Sequence, residues 1–89
     1  MTTAFVETIY DIARLTHHNQ HSQALRALAN YLGLSDTVAE LDQIIDRHQR
    51  CGSICEVDYQ RRYQIQKAVL ADAASKYSPV MFDQIRGAL

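Results

Sequence analysis

Helix breakers are scarce in this 89-residue chain, which holds one proline, Pro79, and three glycines, Gly33, Gly52 and Gly87. Average usage at that length is roughly four prolines and six glycines. The sequence also lacks any β-type alternation of apolar and polar residues, internal repeat or low-complexity segment. A strand-built or repetitive fold is thereby excluded. Each breaker stands beside a capping residue, so the four read as punctuation between helices. Cysteine is sparse as well, with only Cys51 and Cys55. That excludes a disulfide framework and points to the cytoplasm. Residues 1–14 contain Glu7 and Asp11 but neither a basic start nor a long apolar run. This is not the pattern of a signal peptide or a membrane span. Phosphate-cradling glycine loops, nucleophile elbows and opposed carboxylate pairs are missing too, so no catalytic residue is expected and the protein reads as non-enzymatic.

What the chain does hold is an ordinary globular composition, 47% hydrophobic and 21% charged, which excludes intrinsic disorder. Its length suits one helical domain over residues 1–89. A chain this short buries only about 60–65% of its unfolded surface. Small cores of this kind are often supplemented by a partner or a second copy, so a homodimer or a complex is expected.

The first helix is expected over about residues 3–17. Thr3 can cap it, and Phe5, Val6, Ile9, Ile12 and Ala13 share one side. Asn19 or Ser22 can cap a second helix bearing Ala24, Leu25, Leu28, Tyr31 and Leu32. Gly33 followed by Leu34 predicts a Schellman stop. Ser35 is placed to cap a third helix with a stripe of Val38, Leu41, Ile44 and Ile45, ended by Gly52. Ser53-Ile54-Cys55-Glu56 matches the capping box and opens a fourth helix over residues 54–77, about 36 Å long. Along it, Tyr59, Tyr63, Gln66, Leu70, Ala73 and Tyr77 repeat as a heptad-like seam. Ile54, Val57, Ile65, Ala68 and Val69 make a second strip. Ser78-Pro79 starts a short last helix with Val80, Met81, Phe82 and Ile85, expected to stop at Gly87. The fold class is all-α: a compact bundle of four to five helices with the helix over 54–77 as its spine.

Leu28-Ala29-Asn30-Tyr31-Leu32-Gly33-Leu34-Ser35 resembles the first half of a DNA-binding helix-turn-helix. In that family a small residue, here Ala29, lets the two helices cross, and the turn glycine, here Gly33, opens the second. The family's pattern has two residues between the serine and a Thr-Val pair, whereas only Asp36 separates Ser35 from Thr37-Val38. Asp42 then falls where an apolar residue is normally buried. The second helix carries Asp36, Glu40, Asp42 and Asp46, which would repel phosphates. The spacings of His17, His18 and His21 can each place two imidazoles on one helix face. His48-x2-Cys51-x3-Cys55 is not a zinc spacing, and no metal or other cofactor is expected.

Net charge is −1, unevenly spread. Residues 1–46 carry two arginines against six acids, and residues 47–89 carry seven Lys or Arg against four acids. Pairing within the fold is the plain expectation, and steering of a partner the sharper one. Arg47, Arg50, Arg61, Arg62 and Lys67 gather around the turn between helices three and four, interleaved with Tyr59 and Tyr63. Tyr and Arg are enriched at protein–protein hot spots. The leading expectation is therefore a protein–protein interaction module, an adaptor, inhibitor or small regulatory subunit. Its partner-binding residues are Arg47, Arg50, Tyr59, Arg61, Arg62, Tyr63 and Tyr77. The alternatives are a nucleic-acid-binding regulator and a His/Cys metal or redox module.

Overall fold

The computed structural model describes residues 2–89; Met1, the first residue of the expected domain, lies outside the described residues. The fold is an all-α bundle of five helices among the described residues: α1 (Thr3–His17), α2 (His21–Tyr31), α3 (Ser35–Cys51), α4 (Glu56–Lys76) and α5 (Pro79–Ala88). Its extents are 39 × 23 × 19 Å. Among the described residues no helix is long and apolar enough to cross a membrane.

The helix stops follow from backbone chemistry. Gly33 and Gly52 both take φ +78°, the left-handed conformation that glycine adopts without a Cβ penalty. At Gly33 the Schellman pair forms, with Leu34 N–H donating to Ala29 O at 3.0 Å and Gly33 N–H to Asn30 O at 3.1 Å. Asn19 ends α1 in the same way at φ 59°, its N–H and that of Gln20 donating to Thr16 O and Leu15 O. Asparagine tolerates this conformation because its short polar side chain can bond locally. Asn19 is thus a stop for α1 and not the cap of α2.

Several expected starts shift. Thr2 caps α1 in place of Thr3, its Oγ1 accepting from Phe5 N at 3.1 Å. Gln20 takes the N-cap of α2, and Ser22 is buried instead of capping. Leu34 is the N-cap of α3, which makes Ser35 the first helical residue. The Ser53–Glu56 box does not form. After the left-handed Gly52 the chain turns through residues 53–55, Cys55 becomes the N-cap, and α4 begins at Glu56. The N3 position then falls to Asp58, whose carboxylate goes to Arg47. Ser78 caps α5 as expected, accepting from Met81 N, with Pro79 in the first turn. Gly87 does not end α5, which runs on to Ala88.

One core joins all five helices: Phe5 and Ile12, Ala24, Leu25, Leu28, Ala29 and Leu32, Leu41 and Ile44, Ile65, Val69 and Ala73, Ile85 and Ala88. On α1 the expected Val6 and Ala13 turn outward. On α4 the inward line is Asp58, Arg62, Ile65, Val69 and Ala73, one step around from the tyrosine seam. The seam is packed only toward its C-terminal end, where Tyr77 meets Phe5 at 5.6 Å and Tyr31 at 6.5 Å between ring centroids. In the second strip Val57 and Ala68 face solvent.

α4 lies beside α2 in the same direction. Arg62 Nη1 donates to Ser22 Oγ at 3.0 Å near the start of α2, and Lys76 Nζ donates to Leu32 O at 3.1 Å beyond its end. The second contact satisfies an orphan carbonyl at the negative end of the helix dipole.

Leu28, 1% exposed, sits where α2 meets its neighbours, so Leu28→Ala should cost about 2–5 kcal/mol in urea unfolding. An added Cβ at Gly33 meets no described atom within 4 Å. Gly33→Ala should therefore lose only the conformational part, roughly 1–2 kcal/mol. A Leu28→Ala loss smaller than the Gly33→Ala loss would contradict this placement of the core.

Candidate functional site

The uneven charge of the sequence is largely paired inside the bundle. Arg26 holds Asp42, Arg47 holds Asp58, Arg50 holds Asp46 and Arg61 holds Glu40. Arg14 holds Asp11, Arg86 holds Asp83 and Lys76 holds Asp72. Asp42, Glu40 and Asp46 of α3 thus meet cations from α2, α4 and α3 itself. Asp42, at the position where the helix-turn-helix pattern buries an apolar residue, is exposed and paired with Arg26, while Leu41 and Ile44 fill the core.

Arg47 and Asp58 form the best-defined of these pairs. Nε and Nη2 of Arg47 donate to the two carboxylate oxygens, each at 2.8 Å, and Asp58 is buried at 7% exposure. The bidentate hydrogen bond holds the Asp58 carboxyl below its ordinary range, against the opposing effect of burial, with the Cys55 side chain adding to the lowering. Arg61 does the same for Glu40 across α3 and α4, with Nη2 to Oε1 at 2.8 Å. Arg47 and Arg61 are therefore braces between helices, and Arg50 closes a helical turn of α3.

Among the described residues, Arg62 and Lys67 are the Lys and Arg side chains without a carboxylate partner. Both stand against exposed tyrosines of α4. The Arg62 guanidinium carbon is 5.4 Å from the centre of the Tyr59 ring, and Lys67 Nζ is 4.7 Å from that of Tyr63. Such contacts contribute about 0.5–1 kcal/mol at exposed sites. Tyr59 and Tyr63 are 49% and 53% exposed. Positions 59, 62, 63 and 66 share one helix face. With His21 from the start of α2, Tyr59, Arg62, Tyr63 and Gln66 line a depression of about 250 Å³.

The structure therefore brings together three of the seven partner-binding residues expected from sequence, Tyr59, Arg62 and Tyr63. Arg47 lines a separate depression of about 140 Å³ with His48, Cys51, Ser53, Cys55 and Asp58. Tyr77 lies about 27 Å further along α4 from Tyr59 at 1.5 Å per residue, half-buried in the aromatic cluster. Burial there pushes its phenol pKa up, with Tyr31 adding to the effect. His21 and Gln66 join the site without having been singled out for it. His17, His18, Cys51 and Cys55 are exposed, and both thiols are free. Among the described residues, no three His, Cys, Asp or Glu side chains come together as a metal-binding group.

Searches of protein families, curated proteins and solved structures return no match to this chain. What the site can do follows from its own geometry.

The Arg47–Asp58 pair makes a pH prediction. A carboxylate with a depressed folded pKa stabilises the fold above its unfolded pKa and loses that contribution as pH falls through the folded value. Asp58→Asn should therefore lower the melting temperature at neutral pH. The gap from wild type should shrink once pH drops below about 3.9, the ordinary aspartate value. Thermal unfolding followed by circular dichroism at stepped pH checks this, and a gap unchanged down to acid would refute it.

Proposed function

We propose that the protein is a non-enzymatic protein–protein interaction module whose contact surface is centred on Tyr59, Arg62 and Tyr63. The observation that carries this reading is the pairing pattern. The fold supplies carboxylates to Arg14, Arg26, Arg47, Arg50, Arg61, Lys76 and Arg86, and leaves two cations beside two half-exposed tyrosines. Tyrosine brings a large rigid ring with a hydroxyl, and arginine a preorganised planar fork of donors, and both residues are enriched at hot spots. The depression, about 250 Å³, falls below the roughly 300–1,000 Å³ typical of small-molecule sites. It matches the reach of a protruding side chain. With Arg47 and Arg61 committed to bracing α3 against α4, this surface is narrower than the Tyr/Arg cluster suggested by composition.

Bait protein carrying Tyr63→Ala or Arg62→Glu should lose a partner that wild type retains from extract of the native host, while its helical circular dichroism persists. Arg62→Glu reverses the charge at the centre of the surface and should cost at least tenfold in affinity, about 1.4 kcal/mol. Undiminished retention by both variants contradicts the proposed surface.

A further inference from the structure

The fold half-buries Arg62 and, unlike every other arginine described, gives it a hydroxyl instead of a carboxylate. Its Nη1 donates to Ser22 Oγ at 3.0 Å, and Ser22 itself is 2% exposed. The other N–H groups of the guanidinium meet no side-chain or carbonyl acceptor among the described residues. Loss of water on burial pushes its pKa below the usual guanidinium value, with Tyr59 opposing, yet an arginine stays protonated at any physiological pH. A cation that has lost water without gaining an anion is electrostatically incomplete.

Building on the protein-contact reading above, we infer that the depression is a carboxylate-binding site, taking a Glu or Asp side chain of a partner polypeptide. The free edge of the Arg62 guanidinium would meet the carboxylate in the planar fork geometry that such pairs prefer. Tyr59 and Tyr63 wall the site, and Gln66 and His21 add polar groups at its edge. Lys67, held over the Tyr63 ring, contributes a second positive charge on that side. The size of the depression suits the head of one acidic side chain. Two cations are too few to follow a nucleic-acid backbone, whose affinity grows with each phosphate neutralised. A cation already lies against each tyrosine ring, which leaves at most one face of each for stacking on bases.

The direct test is a set of 1H–15N NMR titrations on the full 89-residue chain. The probes are an end-capped pentapeptide with one glutamate between leucines, its glutamine counterpart, inorganic phosphate and a ten-nucleotide oligothymidylate. Up to about 10 mM glutamate peptide should give saturable shifts confined to Tyr59, Arg62, Tyr63, Gln66 and the Arg62 side-chain N–H, with the glutamine peptide at least tenfold weaker. Arg62→Gln should abolish the response and Lys67→Gln should weaken it about two- to fivefold, consistent with a surface charge contribution. Lys67 makes no interhelical contact in the bonds described, so that variant keeps the test open should Arg62→Gln not fold. Equal response to both peptides, shifts spread over all the arginines, or no shift would overturn the carboxylate site. In those cases the contact surface itself still stands or falls by the Tyr63→Ala capture. A stronger response to oligothymidylate or phosphate than to the glutamate peptide would overturn both.

Discussion

The architecture depends on the crowding of α2. α1, α3 and α4 all pack against this helix, and its inward positions are filled by Ala24, Leu25, Leu28, Ala29 and Leu32. Only Ser22 breaks the apolar set, and a buried hydroxyl needs a partner. The partner comes from forty residues away, as Arg62 of α4. Lys76 fastens the other end to the Leu32 carbonyl. These two contacts mark where α4 lies along α2, while Ile65, Val69 and Ala73 of α4 pack into the common core.

This alignment explains how the charges are distributed. α4 also meets α3, where Arg61 reaches Glu40 and the buried Asp58 receives Arg47. Surface ion pairs such as Arg26–Asp42 and Arg50–Asp46 contribute little stability one by one. Their consequence here is selective: they use up most of the basic half of the chain. What remains unpaired, Arg62 and Lys67, lies beside the exposed Tyr59 and Tyr63. Two uncompensated cations can therefore stand together on a protein of almost zero net charge.

Much of the bundle could be read from local chemistry. Gly33 and Gly52 announce themselves because little else adopts their φ, and Ser78-Pro79 because proline fits the first turn without loss. Five helices in the expected order followed from those marks and the helical spacing between them. The starts were harder. Ser53 and Glu56 have the capping-box spacing, but the turn after Gly52 consumes residues 53–55, and no local rule states how long that turn must be. Asn19 could have been recognised as a stop, since asparagine is the usual substitute for glycine there. Within the site, Tyr59, Arg62 and Tyr63 were visible as aromatic and basic residues on one helix face. Their separation from Tyr77 and from Arg47 was not visible, because it depends on where α4 crosses α2 and α3. The Ser22–Arg62 contact spans 40 positions and leaves no trace in either local sequence.

The central claim is that Arg62 is retained for what it binds and not for the stability of the free fold. Replacing both members of a buried polar pair with apolar groups of similar shape is close to neutral or stabilising, whereas removing one leaves the other orphaned. The decisive measurement is the urea-unfolding free energy of the Ser22→Ala/Arg62→Met double variant against wild type, without any partner present. Stability equal to or above that of wild type is the predicted result. A loss of more than about 2 kcal/mol, the scale of breaking a structural charged hydrogen bond, would make Arg62 a structural strut and contradict the account.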